Sequence, residues 1–165
     1  GGRAFFCSVV DLPTTPDLAV ITSAAEDVPH IIQECGKKHV HGAVVLSTGF
    51  QELGTVEGLR LEECVKNVAR MCPEMNIIGP NSMGVISPWA LLNASHADGG
   101  STPKRGTVAF ISQSGRMQSG RLCSAILDWA EQENVGFSHF VSVGNMTDID
   151  LADLIDYFAS DRHTQ

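Results

Sequence analysis

The sequence predicts an α/β architecture built on a parallel sheet, and three observations lead there. Short apolar runs without helical periodicity, Leu18-Ala19-Val20-Ile21, Gly42-Ala43-Val44-Val45-Leu46 and Met75-Asn76-Ile77-Ile78, read as buried strands. Between them lie segments whose apolar residues recur at helical spacing. Each run ends in small polar residues: Thr22-Ser23-Ala24, Ser47-Thr48-Gly49 and Gly79-Pro80-Asn81-Ser82. Strands alternating with helices imply right-handed crossovers, and in such sheets ligands bind beyond the carboxyl ends of the strands.

The elements follow in order. Asp27 is placed to cap a helix over 28–39, with Val28, Ile31, Ile32 and Cys35 on one face. A second helix is expected over 59–71, with Leu61, Cys64, Val65, Val68 and Ala69 as its buried stripe and Pro73 as its stop. Val85-Ile86 suits a short further strand. Residues 96–106 concentrate Gly, Ser and Pro and read as a linker between two domains, 1–95 and 107–165. Beyond it the pattern restarts with a strand over 107–111, the tight turn Ser112-Gln113-Ser114-Gly115, a helix to about Glu133 and a strand over 137–143. A helix then runs from Leu151 to about Ala159, capped by Asp150. Trp89 and Trp129 are expected as core or interface aromatics.

Composition narrows the function. Of the 165 residues 43% are hydrophobic, and the formal net charge is −8. That charge argues against nucleic acid as a partner, because phosphate-backbone binding needs clustered Lys and Arg. No apolar run reaches the ~20 residues of a membrane span, and the amino terminus has no secretory pattern. With no initiator Met, the chain reads as an internal stretch of a longer protein. Its five cysteines are odd in number and include no C-x-x-C, which suits reduced thiols in a cytoplasmic protein. Cys35, Cys64 and Cys123 lie among apolar residues and read as structural. The six histidines form no metal-binding pair, so no metal site is expected. The visible carboxylate groups are Glu62-Glu63 and the cluster Asp148, Asp150, Asp153 and Asp156, for which a solvated acidic face near a helix amino terminus is the commoner reading.

Ser112-Gln113-Ser114-Gly115 joins a strand to a helix start. It reads equally as a phosphate-binding turn, with Ser114 and Gly115 at the helix amino terminus, and as a plain connection with a Ser cap. Neither G-x-G-x-x-G nor a Walker loop occurs.

Seven ordered stretches carry a family resemblance: 16–21, Leu46-Ser47-Thr48-Gly49-Phe50, Ile78-Gly79-Pro80-Asn81-Ser82-Met83-Gly84, Leu92-Asn93-Ala94-Ser95, Ile111-Ser112-Gln113-Ser114-Gly115, Ile126-Leu127-Asp128-Trp129 and Gly136-Phe137-Ser138. Together they resemble the NDP-forming acyl-CoA synthetases, relatives of the succinyl-CoA synthetase α subunit. The resemblance implies a Rossmann-like CoA-binding half followed by the start of a flavodoxin-like ligase domain. It implies that coenzyme A or acyl-CoA lies over Thr22, Ser23, Ala24, Ser47, Thr48, Gly49, Pro80 and Asn81. It also implies that Ser114 and Gly115 open the helix holding the phosphate of a phosphohistidine.

Three departures from the family pattern stand out. The Gly-rich CoA loop and the phosphohistidine loop are not in this sequence, so no catalytic residue is assigned and the chain alone is not expected to turn over. Arg116-Met117-Gln118-Ser119-Gly120 reads as an insertion that moves the helix start to Ser119-Gly120. The complete enzyme would use ATP/ADP with Mg, an ATP-grasp domain or subunit, and an oligomeric assembly. Two alternatives accompany this reading: an acyl-CoA-binding regulatory region of a protein lysine acetyltransferase with a Gcn5-type domain, and a catalytically silent CoA-binding module.

Overall fold

A computed structural model describes residues 4–96, 103–113 and 116–165, with backbone only at 116–121. The fold is α/β. Its first sheet comprises β1 (Leu18–Ile21), β2 (Gly42–Val45) and β3 (Asn76–Ile78), all parallel and in that order. Helix α1 (Val28–Lys37) connects the first two strands and α2 (Val56–Met71) the next two. Ala19, Ile21, Ala43, Val45 and Ile77 form one core with Val28, Ile32 and Cys35 of α1 and Leu61 and Val65 of α2. Alternate residues of each strand thus meet the two helices, as a pleated sheet requires.

Helix boundaries differ from the sequence-based expectation for local reasons. Pro29 occupies the first turn of α1, and the Asp27 side chain makes no cap hydrogen bond. The helix stops at Lys37 because the chain turns left-handed at His39 (φ 57°). Helix α2 starts earlier than expected because Thr55 caps it, accepting from Gly58 N at 3.0 Å. Its buried face includes Glu62, while Cys64, Val68 and Ala69 are only half-buried.

The second sheet has the order β5–β4–β7–β6, from β4 (Gly84–Ser87), β5 (Leu92–Ser95), β6 (Arg105–Ser112) and β7 (Phe137–Ser142). β4 is antiparallel to both β5 and β7, and β6 runs parallel to β7. The sheet therefore takes two strands from before residues 97–102 and two from after. Helix α3 (Arg116–Gln132) covers one face through Cys123, Leu127 and Ala130, which pack with Met83, Ile86, Phe137 and Phe140. Helix α4 (Leu151–Ser160) covers the other through Leu154 and Phe158, which pack with Val141 and Val143. Asp150 caps α4 as expected, and its partner in the capping box is Asp153. Asp153 thus has a defined bond within the acidic cluster. Residues 116–120 are helical, so α3 starts before the expected Ser119-Gly120. Trp89 is 39% and Trp129 56% exposed, so neither is a core residue. Trp89 lies against the ring of His163 and under the guanidinium of Arg105.

His139 on β7 gives the fold a pH dependence. Its buried Nδ1 has no hydrogen-bond partner among the described residues and lies 3.6 Å from the Asp161 carboxylate. Burial lowers its pKa, and the nearby His163 does so too, against the attraction of Asp161. A folded pKa below the unfolded value of ~6.5 means that neutral His139 contributes stability above that pH. The contribution is lost as pH falls through the folded pKa. The melting temperature of His139→Gln is therefore expected to fall less between pH 7 and 5 than that of the unaltered chain. Parallel melting curves over that range would refute this.

Candidate functional site

Because β1, β2 and β3 are parallel, their carboxyl ends reach one edge, and the three small polar turns read from the sequence meet there. The Ser47 hydroxyl donates to Ser23 O at 2.7 Å, and Asn81 N donates to Ser47 O at 2.8 Å. These two bonds tie the three turns together. The Gly79–Pro80 peptide is cis, and Gly79 (φ 106°) and Asn81 (φ 56°) both lie in the left-handed region. Thr22, Ser23 and Ala24 are exposed, Thr48 and Gly49 half-buried, and Ser47, Pro80 and Asn81 buried. The outer wall of the edge is thus open to a ligand, whereas Ser47 belongs to its frame. Ser114 and Gly115 lie outside the described residues.

Both helices of the first unit begin at this edge. The ten-residue α1 follows Ala24 closely, and the sixteen-residue α2 follows the Ser47-Thr48-Gly49 turn. Their amino termini present backbone N–H groups and positive dipole ends there. That is the means by which a chain of net charge −8 can receive an anionic group.

A polar cluster that the sequence did not reveal stands behind the edge. Asn145, in the turn after β7, donates from its backbone N to Pro80 O at 2.9 Å and accepts from Asn81 Nδ2 at 3.2 Å. Its own Nδ2 donates to both Glu52 Oε2 and Glu62 Oε2, each at 2.9 Å. The remaining oxygens are also engaged. Glu52 Oε1 accepts from Gly49 N at 2.6 Å and Phe50 N at 3.1 Å. Glu62 Oε1 accepts from Thr147 Oγ1 at 2.5 Å. Asp148 accepts from Ile77 N at 2.8 Å, and Thr147 N donates to Gly79 O at 3.2 Å. Burial works against the Glu52 carboxylate, but the bonds from Asn145, Gly49 and Phe50 outweigh it and hold its pKa below the ordinary value. The 144–148 turn of the second unit is thereby locked to the strand-end turns of the first.

No nucleophile emerges among the buried thiols. Cys35 is fully buried and its pKa is pushed up to about 11, chiefly by burial, and burial also raises that of Cys123. Among the described residues no cluster of three or more His, Cys, Asp or Glu is arranged to hold a metal ion, and no helix is long and apolar enough to cross a membrane.

The chain is similar to several known proteins. Residues 105–165 match the succinyl-CoA ligase like flavodoxin domain. The chain is 40% identical over 163 residues to acetate–CoA ligase [ADP-forming] I of Archaeoglobus fulgidus, covering 99% of this chain and 22% of that protein. It is 41% identical over 166 residues to the acetate–CoA ligase [ADP-forming] I subunit alpha of Pyrococcus furiosus, covering 99% of this chain and 34% of the subunit. Among solved structures it resembles the dinucleotide-forming acetyl-coenzyme A synthetase 1 of Ca. Korarchaeum cryptofilum, in complex with phosphate and ADP. The TM-score is 0.85 at 38% identity, over 99% of this chain and 33% of that one. The chain thus spans between a fifth and a third of the length of these relatives. The likenesses support the NDP-forming acyl-CoA synthetase family.

Proposed function

We propose that this chain is the CoA- or acyl-CoA-binding portion of an NDP-forming acyl-CoA ligase, with coenzyme A seated on the Thr22–Ala24, Ser47–Gly49 and Pro80–Asn81 edge. One observation carries the proposal: the Ser23–Ser47–Asn81 bonds gather three separate turns at the carboxyl edge of a parallel sheet, beside two helix amino termini. Such an edge receives phosphate groups through backbone N–H groups, so the negative charge of the chain is no obstacle.

In the complete enzyme, phosphate from ATP would pass through a histidine outside this chain to the acid. The CoA thiol would then take the acyl group from the resulting acyl phosphate and release phosphate. ADP-forming acetate–CoA ligase relatives, some of them alpha subunits, support ATP/ADP use and a subunit or domain partnership. The share proposed for this chain is to bind and orient CoA, and no residue in it is given a bond-making step.

Calorimetric titration with acetyl-CoA tests the site. Asn81→Ala is expected to weaken binding about tenfold, the equivalent of one well-made polar contact. Unchanged affinity would remove Asn81 from the site. Incubating the full-length protein with labelled ATP tests the reaction. Acid-labile, base-stable label is expected, and its absence would count against the ligase and leave the acyl-CoA-sensing reading.

A further inference from the structure

Asn145 uses every polar group it has in joining the two sheets. Its backbone N–H holds Pro80, its backbone oxygen accepts from Gln51 Nε2 at 3.3 Å, its Oδ1 holds the Asn81 amide, and its Nδ2 is shared by two carboxylates. We propose that Asn145 is a positioning residue for the ligand edge, and that Glu52 and Glu62 are present to fix its amide orientation. The proposal rests on the CoA reading of that edge. Two carboxylate oxygens facing one NH2 group leave the Asn145 side chain a single orientation. Oδ1 must then point toward Asn81, whose own NH2 must turn toward Oδ1. The orientation of Asn81 in the turn is thus decided in a different sheet from the one it terminates.

The pattern of bonds yields a sharp test. Each glutamate spends one oxygen on a donor of its own, Glu52 Oε1 on Gly49 and Phe50 and Glu62 Oε1 on Thr147, and only Oε2 on Asn145. Glutamine at 52 and 62 would keep the first bond and offer an NH2 in place of Oε2. The polarity of both contacts can therefore be inverted by making residue 145 an aspartate, which still accepts from Asn81.

Acetyl-CoA titrations are made on the unaltered chain, Asn81→Ala, Asn145→Ala, Asn145→Asp and the triple variant Glu52→Gln/Glu62→Gln/Asn145→Asp. Thermal melts confirm folding, and the Asn81 side-chain amide is followed by 15N NMR without ligand. Asn145→Ala is expected to weaken binding about tenfold, like Asn81→Ala. Asn145→Asp should do so at least as strongly, since it sets a third carboxylate against the other two. The triple variant should recover to within about threefold of the unaltered chain. The Asn81 amide signals should move in Asn145→Ala and return in the triple variant.

If Asn145→Ala binds acetyl-CoA normally while Asn81→Ala does not, the positioning role is overturned. If the triple variant folds but does not recover, the role given to the carboxylates is overturned. If no variant or the unaltered chain binds acetyl-CoA, the ligand reading fails. The NMR signals then decide the positioning role alone: an Asn81 amide indifferent to residue 145 overturns it.

Discussion

Phe50→Ala is expected to lower the melting temperature by about 6–20 °C, corresponding to a loss of about 3–5 kcal/mol. Phe50 directly follows the Ser47-Thr48-Gly49 turn, yet its side chain is fully buried in the core between the first sheet and α1 and α2. An alanine there leaves a cavity that the rigid strands β1 and β2 cannot close. Its backbone is equally confined. The Phe50 N–H is held by Glu52, and the Phe50 carbonyl lies so close to α2 that a Cβ on Gly58 would meet it at 2.2 Å. Loss of the ring therefore frees the turn that presents Gly49, and acetyl-CoA affinity should fall along with stability. Thermal denaturation followed by circular dichroism measures the first effect, and a shift below about 2 °C would contradict the packing described.

Gly144→Ala is the second large effect. Gly144 lies at φ 62°, and an added Cβ would come within 2.2 Å of Pro80 O and 2.8 Å of Asn81 C. Both obstacles are backbone, so neither can swing aside as a side-chain tip would. The strain of a left-handed residue adds to the displacement of the 79–82 turn, for an expected cost of at least about 2 kcal/mol. Gly54→Ala is the matched control: φ is 65° there, but a Cβ would meet nothing within 4 Å. It should cost only the left-handed penalty of about 1–2 kcal/mol, less than Gly144→Ala, which adds the backbone clash. Comparable melting temperatures for the two variants would show that contact between the units does not matter at Gly144.

Much of this arrangement was legible in the sequence. The strand Leu18–Ile21 and the Asp150-capped helix were readable because an uninterrupted apolar run and a cap followed by helical spacing are local signals. The three strand-end turns were readable for the same reason, as each directly follows a buried strand. Strand β5 was not, because Leu92-Asn93-Ala94-Ser95 is short and follows a turn through a left-handed Leu91. What makes it a strand is pairing with β4. Glu62 was obscured by its charge, although Gly58, Glu62, Val65 and Ala69 share one helical face by spacing. A carboxylate at an apolar position is a sign of buried partners, and these, Asn145 and Thr147, lie far along the chain in a strand-end turn whose local sequence does not say which helix it meets.

The strand order of the second sheet also bears on how the chain is made. β4 pairs with β7 through Gly84↔Ser142, so it leaves the ribosome well before its partner exists. The first sheet joins only neighbouring strands and can assemble at once, whereas β4 must wait several seconds at translation rates of ~5–20 residues per second. During that interval β4 and β5 have only each other to pair with, too few strands for a stable sheet, and their open edges are expected to be prone to pair with other chains. Production of folded molecules is therefore expected to depend on protecting these nascent strands: a bound chaperone should raise the yield and slower synthesis, which lengthens the wait, should lower it, neither altering the stability of the finished protein.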